Sequence, residues 1–288
     1  MPPQVALGSC TGYDDEALDE ALDRLLALTP AWEALFDGDP VVLLKPNLLI
    51  AKSVDSGVTS HPRFIAAAAR AVRRTFSGRL LLGDSPAVGT TRGVARRIGL
   101  TPLLRSLDVE LVNFTEPVPV SGGGGFGPLN LARPLVEADR IINLPRAKTH
   151  GQMGLTLATK NLYGAVVGME KARLHLHAGR SYDTFARLLN EIADRVGPHF
   201  SLLDGVVGVE GNGPSSGETR TLGVVAASDD MTALDRVLAE IMGFGVDSLP
   251  MLLQRRAADE PGAFLDRIEV VGEPLERFRV TDWKPARP

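Results

Sequence analysis

Three of the five histidines and three of the six lysines of this 288-residue chain lie in one stretch, between Lys148 and His177. Lysine and histidine can gain and lose a proton near neutral pH when their surroundings shift the pKa. Lys148, His150 and Lys160 are therefore the candidates for proton transfer, for nucleophilic attack and for binding a negatively charged ligand.

The pair Lys160-Asn161 is flanked by Leu157 and Leu162. A lysine among mainly apolar, small neighbours loses water, which lowers its pKa and frees the amine to act as a base or nucleophile. The alternative is a solvated helix face with an ordinary surface lysine. Asn161 is predicted to bind substrate, together with Asn143 at the end of an apolar run.

His175 and His177 alternate with Leu174 and Leu176. A period of two is typical of a strand, on which both imidazoles would point to one face. Two imidazoles so placed can bind a divalent metal or shuttle a proton. The alternative is a half-exposed edge strand with two surface histidines.

Asp204, Glu210 and Asn212 belong to a segment, 204–214, that follows a predicted strand end and is punctuated by glycines. Glycines let backbone amides approach a ligand closely, and the three oxygen-bearing side chains could hold a polar substrate or a hard cation. An ordinary tight turn is the alternative.

The elements that must position these residues alternate along the chain. Apolar, β-rich runs predict strands at 5–7, 41–44, 80–82, 109–114, 140–144, 201–203, 222–227 and 268–271. Amphipathic or alanine-rich segments predict helices at 14–28, 61–75, 93–100, 183–196 and 231–242. This order predicts an α/β fold with a mostly parallel, doubly wound sheet and helices on both faces. The chain is predicted to be one domain, 1–288, in which a break between two lobes would fall near 121–127.

Polar side chains follow several of these strands. In open α/β sheets ligands bind in the crevice at the carboxyl ends of the strands, so such ends in one sheet predict one shared crevice. The residues are Lys45, Asn47, Asp84, Ser85, Lys148, His150, Asp204, Asp229 and Asp230. A helix cap is the alternative role of Asp84, Asp229 and Asp230.

Composition excludes several classes of protein. A net charge of −4 offers no basic field for nucleic acid. The one cysteine, Cys10, cannot form a four-cysteine iron–sulfur cluster and suits a reducing compartment. No apolar run reaches the ~20 residues of a membrane helix, and the start has no secretion signal. We expect a cytoplasmic protein whose partner is a small-molecule substrate, with no nucleic acid or membrane partner. If it assembles, the base rate favours a homodimer.

Seven segments, in order and spread over most of the chain, resemble the family called domain of unknown function 362. They are Val42-Leu43-Leu44-Lys45-Pro46-Asn47-Leu48, Thr59-Ser60-His61-Pro62, Gly83-Asp84-Ser85-Pro86, Ile141-Ile142-Asn143-Leu144-Pro145 with Lys148-Thr149-His150, Thr159-Lys160-Asn161-Leu162-Tyr163-Gly164, Asp204-Gly205 with Glu210-Gly211-Asn212-Gly213-Pro214, and Ala227-Ser228-Asp229 with Ala233-Leu234-Asp235. Many members look as if a ferredoxin-like cysteine-cluster domain follows this region. With Cys10 alone, this sequence has no such cluster.

A second resemblance is to the catalytic lobe of nickel-dependent lactate racemases. In that family a histidine, a lysine that tethers the nickel pincer cofactor and a nickel-binding histidine follow one another at spacings similar to those of His150, Lys160 and His175. The family's Gly-Thr-His segment is here Gly83-Asp84-Ser85, and its second lobe looks missing or truncated. The resemblance implies a shared fold and site location. It leaves the cofactor unknown. The protein could bind no cofactor, a divalent metal or the nickel pincer cofactor, although the absence of the histidine of the Gly-Thr-His segment argues against the last.

These features predict a small-molecule metabolic enzyme that transfers a proton next to the carbonyl of an anionic metabolite, as an isomerase or racemase does. Lys45 and Lys148 would pair with the negative charge of the substrate. His150 would act as general acid or base, and Lys160 as base, electrophile or tether.

The remaining residues have supporting roles in this prediction. The side chains that would orient substrate or a cation are Asp84, Asp204, Glu210 and Asn212, with further substrate contacts from Asn47, Ser85, Asn143 and Asn161. Two alternatives are open: an oxidoreductase or oxygen-using enzyme of secondary metabolism, and a non-catalytic metal- or ligand-binding protein.

Overall fold

The computed structural model describes residues 1–122, 125–178 and 181–287. Within these ranges the strands are Gln4–Ser9 (β1), Val42–Pro46 (β2), Leu80–Asp84 (β3), Glu110–Asn113 (β4), Pro117–Val120 (β5), Leu129–Ala132 (β6), Arg140–Leu144 (β7), Arg146–His150 (β8), Gly154–Thr156 (β9), Phe200–Glu210 (β10), Glu218–Ser228 (β11) and Glu269–Gly272 (β12). The α-helices are Asp15–Leu26 (α1), Ala31–Ala34 (α2), Pro62–Thr75 (α3), Thr91–Arg97 (α4), Leu100–Ser106 (α5), Arg133–Val136 (α6), Ala158–Asn161 (α7), Glu170–Ala178 (α8), Tyr182–Val196 (α9), Met231–Ile241 (α10) and Pro250–Ala257 (α11).

Ten of these strands form one sheet in the order β12-β1-β11-β10-β7-β2-β3-β4, with β8 beside β10 and β9 beside β8. Strand β11 is antiparallel to β1 and β10, and β9 is antiparallel to β8. The other pairs of this sheet are parallel, and β5 and β6 form a separate antiparallel pair. The predicted α/β fold with a mostly parallel sheet is therefore confirmed.

Helices cover both faces of the sheet, and strand β2 shows how the sequence produces this. Val42 and Leu44 belong to a core that also contains residues of α1 and α3. Leu43, between them, belongs to a different core together with residues of α9. Successive side chains of a strand point to opposite faces, so a run that is apolar at every position must be covered on both sides.

A crevice is expected where β2 and β7 lie side by side. Lys45 of β2 is paired in register with Asn143 of β7. From β2 the chain moves outward through β3 and β4, whereas from β7 it moves to β10 on the other side. Adjacent strands whose connections leave in opposite directions open a crevice at their carboxyl ends, which is where α/β proteins bind ligands.

One predicted strand end is wrong, and one strand was not predicted; the strand 140–144 has the predicted bounds. The chain resumes after Pro145 as β8, in which Arg146 and Lys148 pair with residues of β10. Strand β10 does not end at Asp204 but runs to Glu210, because its pairing with β11 continues beyond an irregularity at Gly205. Long-range pairing supplies the hydrogen bonds that these polar segments could not secure locally.

The predicted strand at His175 and His177 is also wrong, because both residues lie in helix α8. The side chains that this helix buries are Leu174 and Ala178. That spacing of four is the helical period, and it prevails over the short alternation of leucine with histidine. Residues two apart on a helix do not face each other, so the imidazoles are not on one face.

Asp229 and Asp230 lie at the opposite edge of the sheet from the predicted crevice, because β11 runs antiparallel to its neighbours. Asp230 accepts a hydrogen bond from the backbone N–H of Ala233 at 2.9 Å and caps helix α10. The helix-cap alternative is therefore correct for Asp230.

Of the segment 121–127, where a break between lobes was predicted, residues 123 and 124 lie outside the described residues. Strands from before and after that segment pair in the same sheet, since β2 lies against β7.

Candidate active site

A cavity of about 410 Å³ opens at the carboxyl ends of β2 and β3, beside β8 and α7. Eight of the predicted site residues line it, namely Asn47, Asp84, Ser85, Lys148, His150, Lys160, Asn161 and His175. Tyr163 and Lys171 line it as well. The cavity lies at the edge of the sheet to which the strand-end rule points.

Lys45 and Asp84 form a buried ion pair beneath the cavity. Lys45 Nζ donates to Asp84 Oδ1 at 2.8 Å, and the backbone N–H of Leu48 donates to Asp84 Oδ2 at 2.7 Å. The backbone of Gly164 covers the pair so closely that a Cβ there would overlap Asp84 Oδ1. The two charges satisfy each other, so the pair holds β2 and β3 together and leaves no free charge for a ligand.

A chain of amides connects Lys148 to the centre of the sheet. Lys148 Nζ donates to Asn47 Oδ1 at 2.7 Å, and Asn47 Nδ2 donates to Asn161 Oδ1 at 2.9 Å. Asn161 Nδ2 then donates to Asn143 Oδ1 at 2.8 Å. Asn143 is fully buried and does not line the cavity. Asn143 is therefore not in a position to make the predicted contact with a substrate. It is the last member of this chain of hydrogen bonds and fixes the orientation of the amides above it.

Lys148 forms the floor of the cavity. Burial, together with the nearby charges of Arg146 and Lys160, lowers its pKa to about 7. Its amine donates to Asn47 Oδ1 and to the carbonyl of Val58, each at 2.7 Å. These two acceptors take two hydrogens of the amine. The third position on Nζ is a lone pair when the amine is neutral and a hydrogen when it is charged.

Lys160 presents a half-buried amine to the cavity. Its Nζ lies 4.9 Å from the ring centroid of Tyr163 and 5.4 Å from that of Phe185. Among the described residues, none accepts a hydrogen bond from this amine and none forms an ion pair with it. Burial, with a smaller contribution from the charge of Lys171, lowers the pKa of Lys160 to about 8.

Helix α7, which carries Lys160, is held at its start by Asp235. The carboxylate of Asp235 accepts from the backbone N–H of Ala158 at 2.6 Å and from that of Thr159 at 3.0 Å. A helix of four residues does not form by itself, so this contact keeps the turn in place. Burial raises the pKa of Asp235 to about 6. Asp235 belongs to one of the segments that resemble the family, but no role was predicted for it.

His150 is held as a neutral imidazole. The backbone N–H groups of Gln152 and Met153 both donate to its Nδ1 at 3.2 Å. A nitrogen that accepts two hydrogen bonds carries no proton, so the hydrogen is on Nε2. Burial, followed by the charges of Lys160 and Lys148, lowers the pKa of His150 to about 2. The ring therefore offers one N–H donor to the cavity.

Lys171 lines the cavity, although it was not among the predicted site residues. Its amine donates to the backbone carbonyl of Ser85, and the hydroxyl of Tyr163 donates to its backbone carbonyl at 2.7 Å. Burial, with the charge of Lys45, lowers its pKa to about 8. Lys171 lies between Glu170 and Arg173 in a helical segment, and such a pattern of charges is typical of an exposed helix face.

The two histidines of helix α8 differ in position. His175 lines the cavity, with Nε2 at 3.1 Å from Gln152 Oε1 and its ring against Phe185. His177 is not a lining residue and packs against Phe126. In the part of the chain that the structure describes, no three His, Cys, Asp or Glu side chains come together as a metal site. The histidine pair therefore has no third such ligand there.

Three predicted oxygen ligands lie away from the cavity, and their side chains form ion pairs or hydrogen bonds with other residues. Asp204 is fully buried and pairs with Arg146 at 3.0 Å, while Tyr13 donates to it at 2.7 Å. Glu210 pairs with Arg220 at 3.1 Å. Asn212 accepts from the backbone N–H of Arg287 at 3.2 Å. The continuation of β10 places all three beyond the strand end that the sequence suggested.

A model of the family described as a domain of unknown function (DUF362) matches residues 42–240. A thylakoid-associated protein of Synechocystis is 40% identical over 264 residues, which cover 91% of this chain and 82% of that protein. None of the helices within the described ranges is long and apolar enough to cross a membrane.

Two solved structures overlap with part of the fold. A Thermotoga maritima protein is 15% identical, with a TM-score of 0.42, over 68% of this chain and 51% of that chain. The lactate racemase apoprotein of Thermoanaerobacterium thermosaccharolyticum is 13% identical, with a TM-score of 0.42, over 81% of this chain and 55% of that chain. The overlap thus spans about half the length of each of these two proteins, and it carries no information on activity.

Proposed function

This chain belongs to the DUF362 family, and we propose that it is an enzyme that moves a proton at a carbon next to the carbonyl group of a small anionic metabolite. The observation that carries the proposal is the free amine of Lys160. No described residue accepts from its Nζ, and burial lowers its pKa to about 8. Such an amine is partly neutral near physiological pH and can accept a proton from carbon.

The charge of the cavity favours an anionic ligand. Lys148, Lys160 and Lys171 line it. Asp84 is the one carboxylate among the described lining residues, and Lys45 already neutralises it. Three lysines without a facing acid attract a carboxylate or a comparable anion, and the interaction is stronger in a cavity than in water. Binding of the anion also offsets part of the free-energy cost of removing the charged amines from water.

The proposed reaction uses two groups of the cavity, Lys160 and His150. Neutral Lys160 Nζ takes the proton from the carbon, and the electron pair of the broken C–H bond moves into the carbonyl group. The carbonyl oxygen becomes negative and is stabilised by the Nε2–H of His150. The electron pair then moves back from the oxygen, and the Lys160 ammonium returns a proton to the same carbon. A proton that has exchanged with solvent labels this carbon, and delivery to its opposite face inverts it.

Solvent exchange tests this proposal. The purified protein is incubated in D₂O with a panel of 2-hydroxy and 2-oxo carboxylates, without an electron acceptor, and proton NMR follows the C–H signal beside the carbonyl. We expect at least one acid to lose this signal at a catalysed rate. Turnover only with an added electron acceptor would indicate an oxidoreductase instead. Retention of an acid without exchange would indicate a non-catalytic binding protein.

The cavity residues do not fit the full set of groups that a nickel pincer cofactor uses in lactate racemases. Ser85 stands where the Gly-Thr-His segment of that family has a histidine that transfers a proton, and the adjacent Asp84 is paired with Lys45. No step of the proposal passes through that cofactor. Elemental analysis and intact mass test the point, with unmodified Lys160 as the expected result. A covalent adduct on Lys160 would contradict the role of this amine as a base.

A further inference from the structure

The cavity has two chemically different linings. The lysines and His150 form what we call its floor, and the apolar lining residues form what we call its wall, namely Leu49, Pro86, Ala87, Met169 and Ala172. Nothing in the proton transfer proposed above requires this wall. It points to a part of the substrate that lies beyond the reacting carbon.

The wall is joined to the floor by direct contacts. The backbone N–H of Ala87 donates to the carbonyl of Leu49 at 2.9 Å, and the amine of Lys171 donates to the carbonyl of Ser85. The first contact fixes the segment after β3 to the end of β2, and the second fixes helix α8 to that segment. The apolar surface is therefore held at a constant position relative to the amines.

The wall leaves apolar groups in contact with water. Met169 is 83% exposed although it lines the cavity, and Val88, next to the lining residue Ala87, is 63% exposed. Exposed apolar groups that gather at the rim of a pocket commonly mark a surface that a ligand covers.

The size of the cavity agrees with a ligand larger than a three-carbon acid. About 410 Å³ lies within the range of ~300–1,000 Å³ that is typical of pockets for drug-sized ligands. An acid as small as lactate would occupy the floor and leave the wall hydrated.

We infer that the substrate is a carboxylate whose chain beyond the reacting carbon is an apolar tail several carbons long, with the tail against Leu49, Ala87 and Met169. The placement of the head at the lysines rests on the proposed function. Such a tail explains why the wall is apolar. When the tail lies against the wall, the apolar surfaces of both are removed from water, which favours binding.

A chain-length series tests this inference. Isothermal titration calorimetry measures the Kd of unbranched α-hydroxy acids from lactate to α-hydroxydecanoate. We expect Kd to fall by up to about four-fold per added methylene until the wall is covered, which corresponds to ~0.8 kcal/mol per buried methylene. Equal Kd values along the series, or no binding of any acid, would overturn the inference.

Two variants, one immediately before helix α8 and one within it, form a matched pair for the same titration. Met169→Gln places a polar group on the wall, and we expect it to weaken the long acids while leaving lactate unchanged. Leu176→Gln is the control, since Leu176 is 82% exposed and does not line the cavity. An equal effect of both variants on the long acids would also overturn the inference.

The same titration combined with D₂O exchange separates this inference from the proposed function. A falling Kd series without exchange on any acid supports the apolar tail and contradicts proton transfer. Exchange on acids of every length with a flat Kd series supports proton transfer and contradicts the apolar tail.

Discussion

The carboxylate of Asp235 accepts a hydrogen bond of 3.0 Å from the backbone N–H of Thr159, the residue immediately before Lys160. A second bond, from Ala158 at 2.6 Å, completes the contact. Asp235 lies 75 positions further along the chain than Lys160. It nevertheless sets the direction of the short turn that presents the amine, so we regard it as a positioning residue.

Asp235→Asn is expected to reduce the exchange rate and to change its pH profile. Below pH 8 the rate falls ten-fold per pH unit, because Lys160 becomes protonated. Below pH 6 Asp235 also becomes protonated and loses an acceptor, so the fall steepens. Since Asn cannot titrate, the variant should lack the steepening. The control is Asp230→Asn, which makes the same substitution in the cap of α10, at the opposite edge of the sheet. Persistence of the steeper limb in the Asp235 variant would contradict this role.

His150 is expected to remain neutral, with its proton on Nε2, from pH 5 to 8. The reason is that its Nδ1 accepts two backbone hydrogen bonds and its pKa is lowered to about 2. Nitrogen-15 NMR of the imidazole identifies the tautomer directly. A titration of His150 near its ordinary pKa, ~6.5, would show that this description of the ring is mistaken.

The donor function of His150 is tested separately by two substitutions. His150→Phe removes the N–H donor, and we expect the rate constant to fall by ~10²–10³, the usual loss for one donor to a developing oxyanion. His150→Gln keeps a neutral N–H donor and should lose less. Equal losses in both variants would mean that the donor is not what matters.

His175→Ala and His177→Ala are expected to have different effects, although the two residues are neighbours on helix α8. His175 lines the cavity and His177 does not, so only His175→Ala should alter binding or exchange. Both imidazoles are exposed, so thermal unfolding should stay nearly unchanged in both variants. A comparable loss in His177→Ala would restore the idea of a functional histidine pair.

The parts of the fold that could be predicted are those with a strong local pattern. Val42–Leu44 is apolar at each position and therefore indicated a strand covered on both faces. His61 and Pro62 indicated the start of α3, where His61 Nδ1 accepts from the N–H of Arg63. Such signals depend only on neighbouring residues.

The parts that could not be predicted depend on distant partners. Strand β8 contains buried Arg146 and Lys148, and no local pattern reveals that Asp204 and Asn47 satisfy them. The antiparallel direction of β11 is equally invisible in the sequence, and it decides that Asp229 lies far from Asp84. The strand-end rule located the cavity because β2 and β3 are parallel. It failed at β10, which continues past Asp204, and at β11, which runs antiparallel to its neighbours.

The measurement that tests the central claim most directly is the deuterium exchange rate of Lys160 variants as a function of pH. In the wild type we expect the rate to rise with pH and to level off above about 8, where the amine of Lys160 is neutral. Lys160→Met removes the amine, and Lys160→Arg keeps the charge without a usable lone pair. Lys52→Met is the control, because Lys52 does not line the cavity and donates to the carbonyl of Ser215.

Both Lys160 variants should fold, as judged by circular dichroism, and should lose at least ~100-fold in rate together with the pH limb near 8. The control should retain both the rate and the limb. Near-wild-type exchange in Lys160→Arg would reduce the lysine to a positive charge, and near-wild-type exchange in Lys160→Met would contradict the account altogether.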